Sequence, residues 1–233
     1  MRKFFWVKGL KVYSFNKIDS TNNEAKRRIQ SGQKLPALFI AKSQTAGKGT
    51  RGRSFYSAGG GLYMSLALRL EDVHLQKLTV LAAVATARAI EKLSNKTVQI
   101  KWVNDIYLGT KKLCGILCEK TENSVIIGVG VNLTVEEFPT QIKDLAVSLG
   151  VKISRKKLAL QICENILSLI SSDEDFMPYY IEKSFLIGKE VSYIRNGITY
   201  TGIAVDIDEM GGLVVENGVG KTTLSSGDVT LLK

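Results

Sequence analysis

Histidine and cysteine, which often act as nucleophiles or metal ligands in enzymes, are scarce in this sequence. The 233 residues include one histidine and three cysteines. A structural zinc site is tetrahedral, and His74 lies far in sequence from Cys114, Cys118 and Cys163. We therefore expect buried, reduced thiols and a mechanism that does not need two imidazoles. His74 is expected to begin a helix and to take no part in chemistry.

Long apolar runs are also absent. No stretch of about 18 apolar residues occurs, so no transmembrane helix is expected. The first residues form only a brief apolar patch before the chain turns charged, without the apolar core and cleavage site of a signal peptide. We therefore expect a cytoplasmic protein, and 45% hydrophobic residues are enough to build a real core.

Acidic residues are missing from one long stretch. Between Glu24 and Glu71 there are nine Lys or Arg and no Asp or Glu. Residues 1–184 carry a net charge of +12 and residues 185–233 a net charge of −2, within a total of +10. The basic stretch is either a solvated surface or a local anion site, and its glycines favour the anion site.

The spacing of apolar residues predicts two domains. Residues 1–184 are predicted to form an α+β domain with a mixed or antiparallel sheet. The expected strands are 11–17, 36–41, 62–70, 98–102, 105–109, 112–120 and 124–133, and the expected helices are 21–30, 75–93, 154–172 and 175–184. Residues 185–233 contain short strands separated by glycine turns such as Asn196-Gly197, which predicts a small β-barrel.

Residues 42–61, here called the glycine-rich loop, have no apolar period. Alternating glycines in the segment 47–53 allow a close backbone approach to a ligand, and their N–H groups can hold an anion. Lys48, Arg51 and Arg53 can pair with a phosphate or a carboxylate. The loop matches neither a P-loop nor a dinucleotide fingerprint. A plain flexible loop and a contact with nucleic acid are the alternatives.

A second polar group interrupts the apolar strands that follow the long helix. Asn104 and Asp105 either cap their own turn or contact a ligand, since polar groups beside Trp102 are costly to bury unpaired. Lys112 opens an apolar strand, where it either faces a bound anion or extends to solvent. Glycines within the strand segment 128–132 either leave room for a flat group against the sheet or mark a bulge.

Taken together, these segments resemble the biotin protein ligase family. The matching segments, in the family's order and spacing, are Ser20-Thr21-Asn22, Gln44-Thr45-Ala46-Gly47-Lys48-Gly49-Thr50-Arg51-Gly52-Arg53, Lys101-Trp102-Val103-Asn104-Asp105, Lys112-Leu113-Cys114-Gly115-Ile116-Leu117 and Gly128-Val129-Gly130-Val131-Asn132. The resemblance covers nearly the whole chain. It implies a class II synthetase-like catalytic domain and an SH3-like C-terminal barrel.

The resemblance also implies an activity. Such an enzyme activates biotin with ATP and Mg²⁺ to biotinyl-5'-AMP, and then transfers biotin to a lysine of a biotin carboxyl carrier protein domain. The biotin-binding residues implied are Ser20, Thr21, Asn22, Gln44, Gly47, Lys48, Gly49, Thr50, Lys112 and Gly115. The adenylate-binding residues implied are Arg51, Arg53, Trp102, Asn104 and Asn132, and the catalytic residues are Lys112, Arg51, Arg53 and Asp105. No protein ligand for the metal is implied, since Mg²⁺ accompanies ATP.

Two substitutions depart from the family pattern. Thr50 stands where members often have arginine, which bears on how firmly the loop retains the activated intermediate, and Val103 stands where they often have proline. Because the matching segments begin about 20 residues from Met1, we expect no N-terminal DNA-binding domain and no DNA partner. The oligomeric state is left open, a homodimer included. A lipoate-type ligase and a nucleic-acid-binding module are the competing interpretations.

Overall fold

The computed structural model describes residues 9–69, 74–195, 197–225, 227 and 229–232. The helices within these ranges are α1 (Thr21–Gln30), α2 (Leu75–Ser94), α3 (Arg155–Ser171) and α4 (Met177–Glu182). The strands are β1 (Lys11–Phe15), β2 (Ala37–Ala41), β3 (Gly61–Leu68), β4 (Gln99–Lys101), β5 (Asp105–Leu108), β6 (Lys111–Thr121), β7 (Ser124–Asn132), β8 (Glu190–Arg195), β9 (Ile198–Ile207), β10 (Leu213–Asn217), β11 (Gly220–Leu224) and β12 (Val229–Leu231). None of the described helices is both long enough and apolar enough to span a bilayer.

Seven strands form a large sheet in the order β1-β2-β3-β7-β6-β5-β4. β1 runs parallel to β2, and every other neighbouring pair is antiparallel. The prediction of a mixed sheet is therefore confirmed. The predicted strand end at Leu70 and the turn residue Asn196 lie outside the described residues.

Helices cover both faces of the large sheet. Because successive residues of a strand point to opposite faces, β2 contributes to two apolar clusters. Leu38 and Ile40 pack with residues of α2 and α3, whereas Ala37 and Phe39 pack with Ala25 of α1. Strands β2 and β3 are thus buried along their whole length, which explains why they read as continuous apolar runs.

The C-terminal strands form a second, antiparallel sheet in the order β11-β10-β9-β8-β12. Gly197 and Gly211 have φ angles of 78° and 84°, a left-handed conformation that glycine adopts without strain, and they lie in the turns that flank β9. The expected separate C-terminal β module is confirmed. The boundary between residues 184 and 185 stays a prediction.

The second sheet is attached to the first at two places. Backbone hydrogen bonds of 2.7 and 2.8 Å join Ile100 of β4 to the segment 183–185. The carbonyl of Gly211 accepts hydrogen bonds from Trp102 Nε1 at 2.8 Å and from Gln76 Nε2 at 2.7 Å. Buried residues of both sheets belong to one apolar cluster. The two sheets therefore pack as one body around the elements that carry the polar motifs.

Side chains cap the starts of two helices. The N-cap of α1 is Ser20, whose hydroxyl accepts from the Asn23 N–H at 3.4 Å. The prediction that His74 begins a helix is confirmed, since its Nδ1 caps α2.

The glycine-rich loop contains a 3₁₀ turn at Thr50–Gly52 and an antiparallel bridge between Lys48 and Ser54.

Gly211→Ala is expected to lower the free energy of unfolding by about 2–3 kcal/mol. The alanine would have to adopt a φ near 84°, and its Cβ would lie 2.6 Å from Val80 Cγ2. Urea denaturation compares it with Gly188→Ala, where φ is 79° and no atom lies within 4 Å of the Cβ position. The control should lose only about 1 kcal/mol, from the backbone alone. Equal losses in the two variants would contradict the proposed tight packing against Val80.

Candidate active site

A cavity of about 450 Å³ opens between the large sheet, the glycine-rich loop and the second sheet. Its volume falls in the range of small-molecule sites, about 300–1000 Å³. Its wall includes residues of β3, β6 and β7, the first turns of α1 and α2, and Ser225, Gly227 and Val229. The charged residues among its described lining are Lys48, Arg51, Arg53, Lys101, Lys112 and Asp105. This excess of cations favours an anionic ligand.

Uncharged polar groups line the cavity where the first turn of α1 meets the glycine-rich loop. The backbone N–H and the hydroxyl of Thr21 both donate to Gln44 Oε1, at 2.8 and 3.1 Å. Gln44 Nε2 in turn donates to Ser57 Oγ at 3.0 Å. Ser20 and Asn22 are, like Thr21, almost completely buried. These groups offer a set of hydrogen-bonding partners whose orientation is already fixed.

A buried polar network lies behind Asn22. Asn22 Nδ2 donates to Glu119 Oε2 at 2.8 Å, and Lys26 Nζ lies 2.6 Å from Glu119 Oε1. Asn22 Oδ1 accepts from Ser65 Oγ at 2.5 Å, and Ser65 Oγ lies 2.8 Å from Thr21 Oγ1. Burial raises the pKa of Glu119, but the hydrogen bonds from Lys26 and Asn22 outweigh it and lower that pKa overall. Glu119 is therefore an ionised acceptor at neutral pH.

Glycines on β6 and β7 make room for two flat groups against the sheet. A Cβ at Gly130 would lie 2.6 Å from the ring of Phe55, and a Cβ at Gly115 would lie 2.9 Å from the same ring. A Cβ at Gly128 would overlap the carboxamide of Asn22. Of the two sequence interpretations, room for a flat group therefore fits the structure.

The glycine-rich loop folds back on itself beside the cavity. The N–H of Gly49 donates to the carbonyl of Arg53 at 2.7 Å, and Arg51 between them has a φ of 58°. The side chains of Lys48, Arg51 and Arg53 are exposed and line the cavity. Gly47 is buried and holds the loop closed, because its carbonyl accepts from the Phe55 N–H at 2.9 Å.

Lys112 is held on the large sheet with its charge toward the cavity. Its Nζ lies 2.7 Å from Asp105 Oδ1, and the two side chains are 33% and 22% exposed. The same Nζ lies 5.8 Å from the centre of the Phe55 ring, within cation–π distance. Of the two sequence alternatives, an ammonium that faces the cavity fits this geometry better than one that extends to solvent.

The segment 101–105 connects the cavity to both sheets. Asn104 Nδ2 donates to the carbonyl of Ile116 at 2.8 Å, and the Ile116 N–H donates to the carbonyl of Asn104 at 2.9 Å. The Asn104 side chain thus links β6 to the start of β5. Its hydrogen bond goes to a neighbouring strand and not to its own turn. Trp102 is fixed through its indole N–H by Gly211.

Most of the expected site residues lie together, with two exceptions. Gly47 and Asn132 are not among the residues that line the cavity. The Asn132 side chain is buried, and within the described ranges its Oδ1 has no hydrogen-bond partner. Lining residues that the sequence did not indicate are Ser54, Phe55, Tyr63, Met64, Leu75, Gln76, Thr79, Ser225, Gly227 and Val229. Only Phe55, an aromatic residue in a polar loop, carried a local signal.

The described residues provide neither a thiol that ionises readily nor a cluster of metal ligands. All three cysteines are free, and burial raises the pKa of each thiol. The described residues contain no cluster of histidine, cysteine, aspartate and glutamate that would hold a metal ion. The arrangement can bind a ligand with both uncharged polar and anionic groups, and it can stabilise negative charge that develops near Lys112.

Two family profiles match the chain. Residues 14–134 match the Biotin/lipoate A/B protein ligase family, and residues 186–232 match the Biotin protein ligase C terminal domain. The two matches coincide with the large sheet and its loops and with the second sheet.

Individual proteins are similar over nearly the full chain. The Bifunctional ligase/repressor BirA of Bacillus subtilis is 33% identical over 97% of this chain and 75% of its own length. The Biotin--[acetyl-CoA-carboxylase] ligase of Mycobacterium tuberculosis is 31% identical over 92% of this chain and 86% of its own length. The structure of a biotin protein ligase from Aquifex aeolicus in complex with biotin and ATP covers 96% of this chain and 99% of its own, at 29% identity and a TM-score of 0.82.

An ion-pair cluster fixes the start of α1, which carries the uncharged wall of the cavity. The guanidinium of Arg27 donates to both carboxylate oxygens of Asp19, at 3.0 and 2.8 Å, and Asn23 Nδ2 adds a third bond at 2.9 Å. Chiefly through Arg27, and despite burial, the pKa of Asp19 is held well below its usual range. The charge of Asp19 thus stabilises the turn that presents Ser20.

Asp19→Asn is expected to lower the free energy of unfolding at pH 7 by about 1 kcal/mol or less, because the pair is largely exposed. Since folding lowers the pKa of Asp19, its contribution is complete above the ordinary aspartate pKa of about 4 and is lost as pH falls below it. Urea titrations at pH 7 and pH 3 should therefore differ less for the variant than for the wild type. Asp144→Asn, at an exposed residue elsewhere, is the control. An unchanged pH dependence in Asp19→Asn would contradict this role.

Proposed function

Because this chain belongs to the Biotin/lipoate A/B protein ligase family, we propose that it activates biotin with ATP to biotinyl-5'-AMP and transfers biotin to a protein lysine. The proteins that it resembles include named biotin–acetyl-CoA-carboxylase ligases and a structure that binds biotin and ATP. The additional match of residues 186–232 to the biotin protein ligase C-terminal domain favours biotin over lipoate as the acid.

The proposal rests on one observation: uncharged hydrogen-bonding groups and cationic side chains line the same cavity. Thr21, Asn22 and Gln44 present uncharged hydrogen-bonding groups, which suit the cyclic urea of biotin. Lys112 and the cations of the glycine-rich loop suit its carboxylate and the phosphates of ATP. A ligand that is uncharged and polar at one end and anionic at the other fits this combination.

The proposal assigns roles by the chemistry of the lining. Biotin contacts are assigned to Ser20, Thr21, Asn22, Gln44, Gly47, Lys48, Gly49, Thr50, Lys112 and Gly115, and adenylate contacts to Arg51, Arg53, Trp102, Asn104 and Asn132. Of these, Gly47 and Asn132 do not line the cavity. Gly47 acts through the closed shape of the loop. Among the described residues Asn132 Oδ1 has no hydrogen-bond partner, so it has an acceptor to offer.

Activation joins two anions, which is why the cavity needs fixed cations. A carboxylate oxygen of biotin attacks the α-phosphorus of ATP, and pyrophosphate leaves. Negative charge grows on the phosphoryl oxygens, where Lys112, Arg51 and Arg53 can stabilise it. Mg²⁺ bound with ATP would supply further positive charge to the phosphates.

Transfer completes the reaction without a protein nucleophile. The amine of an acceptor lysine attacks the carbonyl carbon of the mixed anhydride, and AMP leaves. Asp105 is the one acidic residue among the described lining, so it is placed to steer the incoming ammonium. The glycine-rich loop, next to the cavity, can exclude water that would hydrolyse the intermediate.

The partners follow from this chemistry. We propose a biotin carboxyl carrier protein domain as the acceptor, since the mycobacterial relative is named a biotin–acetyl-CoA-carboxylase ligase. A cytoplasmic location agrees with three free cysteines. The proposal covers the ligase activity alone, although the Bacillus relative is named both ligase and repressor. It leaves open whether the protein is a homodimer.

The direct test is exchange of labelled pyrophosphate into ATP. The purified protein with Mg²⁺ is expected to catalyse this exchange when biotin is present and not when lipoate replaces it. A carrier domain should then gain one biotinyl group, and a carrier whose acceptor lysine is changed to arginine should gain none. Exchange that depends on lipoate, or no exchange with either acid, would refute the proposal.

Lys112→Ala is expected to slow biotin-dependent exchange about 100-fold or more, because it removes a cation beside the reacting phosphoryl group. Stability should fall by only about 1 kcal/mol, since the Lys112–Asp105 pair is partly exposed. The matched control is Lys111→Ala, on the same strand but outside the cavity lining, which should leave the exchange rate unchanged. A folded Lys112→Ala protein with wild-type exchange would exclude Lys112 as a catalytic residue.

A further inference from the structure

Exposed apolar side chains are concentrated on the hairpin formed by β8 and β9. Of the nine large apolar side chains that the described chain leaves exposed, four belong to this hairpin: Ile194, Ile198, Tyr200 and Ile203. Residues 191–205 contain a single charged residue, Arg195, although 23% of the whole chain is charged. A group of exposed apolar side chains with so little charge is typical of a surface that binds a partner.

These four side chains are divided between the two faces of the hairpin. Successive residues of a strand alternate between faces, and residues directly opposite each other on paired strands share a face. Ile198 and Tyr200 are two residues apart on β9 and therefore lie on one face. Ile194 is paired with Thr199, so it points to the other face, together with Ile203.

A row of three side chains connects the first of these faces to the cavity. Val229 lines the cavity and is paired with Tyr193 across β12 and β8. Tyr193 is paired in turn with Tyr200 across β8 and β9, and the two rings stack with their centroids 5.7 Å apart. Since neighbouring strands lie about 4.8 Å apart, Tyr200 is only about 10 Å from the cavity wall. The row is buried at Val229 and Tyr193 and becomes exposed at Tyr200.

The transfer step brings a protein surface to within this distance of the cavity. A lysine side chain reaches only about 6 Å from Cα to Nζ, so the backbone of the acceptor must come close to the cavity. A standard protein–protein contact covers about 800 Å² of each partner, which corresponds to a radius of about 16 Å. This radius exceeds the length of the row from Val229 to Tyr200. The exposed end of the row is therefore within reach of the contact surface of an acceptor.

Charge favours an acceptor protein over a second copy of this chain as the occupant of this face. Arg195 is paired with Ile198 and therefore lies on the same face. Its charge adds to the cations of the cavity lining and to the net charge of +10 of the whole chain. Two copies that met at this face would bring like charges together, whereas a partner with apolar and acidic residues around its lysine would be attracted.

We propose that the hairpin face that carries Ile198, Tyr200 and Arg195 binds the acceptor protein while its lysine enters the cavity. This inference rests on the proposed function, because only the transfer step uses a protein as a substrate. None of the three residues lines the cavity, so the face takes no part in the activation of biotin. Its effect is confined to the affinity for the acceptor.

Two substitutions on this face test the proposal. Ile198→Ser is expected to raise the KM for a biotin carboxyl carrier domain about fivefold, and Tyr200→Ser about tenfold, since tyrosine contributes more than aliphatic residues at interfaces. The kcat of transfer and the rate of biotin-dependent pyrophosphate exchange should not change. The measurement is biotinylation of the carrier domain over a range of carrier concentrations, with circular dichroism to verify that each variant is folded.

Ile194→Ser is the matched control, because Ile194 lies on the same hairpin but points to the opposite face. The two isoleucines are about equally exposed, at 62% for Ile194 and 57% for Ile198. The control should keep the wild-type KM for the carrier domain. Equal increases in Ile194→Ser and Ile198→Ser, or a wild-type KM in Tyr200→Ser, would overturn the inference. Slower pyrophosphate exchange in Tyr200→Ser would also overturn it, since the face would then act on the cavity itself.

The two proposals fail in different ways. If the wild-type protein does not catalyse biotin-dependent exchange, the proposed function itself is refuted. If the wild type catalyses exchange and biotinylates the carrier domain, and Tyr200→Ser does so with the same KM, the function stands and only the docking face is refuted.

Discussion

The cavity depends on the absence of side chains at three neighbouring positions of the large sheet. Gly115 and Gly130 are directly paired between β6 and β7, and Gly128 lies two residues before Gly130 on β7. A Cβ at any of them would overlap the Phe55 ring or the Asn22 carboxamide. Because these two flat groups can lie on the strands, the glycine-rich loop and the first turn of α1 both reach the sheet. A single steric constraint therefore brings the separate motifs together.

The cations of the site are held in two different ways, and each suits its place. Lys112 is on a strand and already paired with Asp105, so an ammonium in a partly buried wall is not left uncompensated. The basic residues of the glycine-rich loop are exposed, so water can solvate them. In the proposed reaction, a cation fixed on a strand beside the acid and exposed cations near the phosphates suit a charge that moves from one group to the other.

Elements that depend on neighbouring residues could be predicted from the sequence. Contacts between residues far apart in sequence could not. Continuous apolar runs predicted β2 and β3, and glycine turns predicted the hairpins of the second sheet, since these depend on near neighbours. Glu119 looked like an ordinary charge near the end of an apolar strand, because its bond to Asn22 spans 97 residues. The buried Ser65 carried no pattern either, as it meets Asn22 across 43 residues. Buried hydrogen-bond networks of this kind are set by tertiary packing, which no local pattern encodes.

Residues that belong to the second sheet or lie beside it line the cavity, so the position of this sheet affects the shape of the site. Trp102 is 6% exposed, and its indole N–H has its partner on the other sheet, at the Gly211 carbonyl. Moving the second sheet away would break this hydrogen bond, whose net contribution to stability is about 0.5–1.5 kcal/mol. The same movement would withdraw Ser225, Gly227 and Val229 from the wall. Docking of the second sheet therefore both fixes Trp102, next to Asn104 and Asp105, and completes the wall of the cavity.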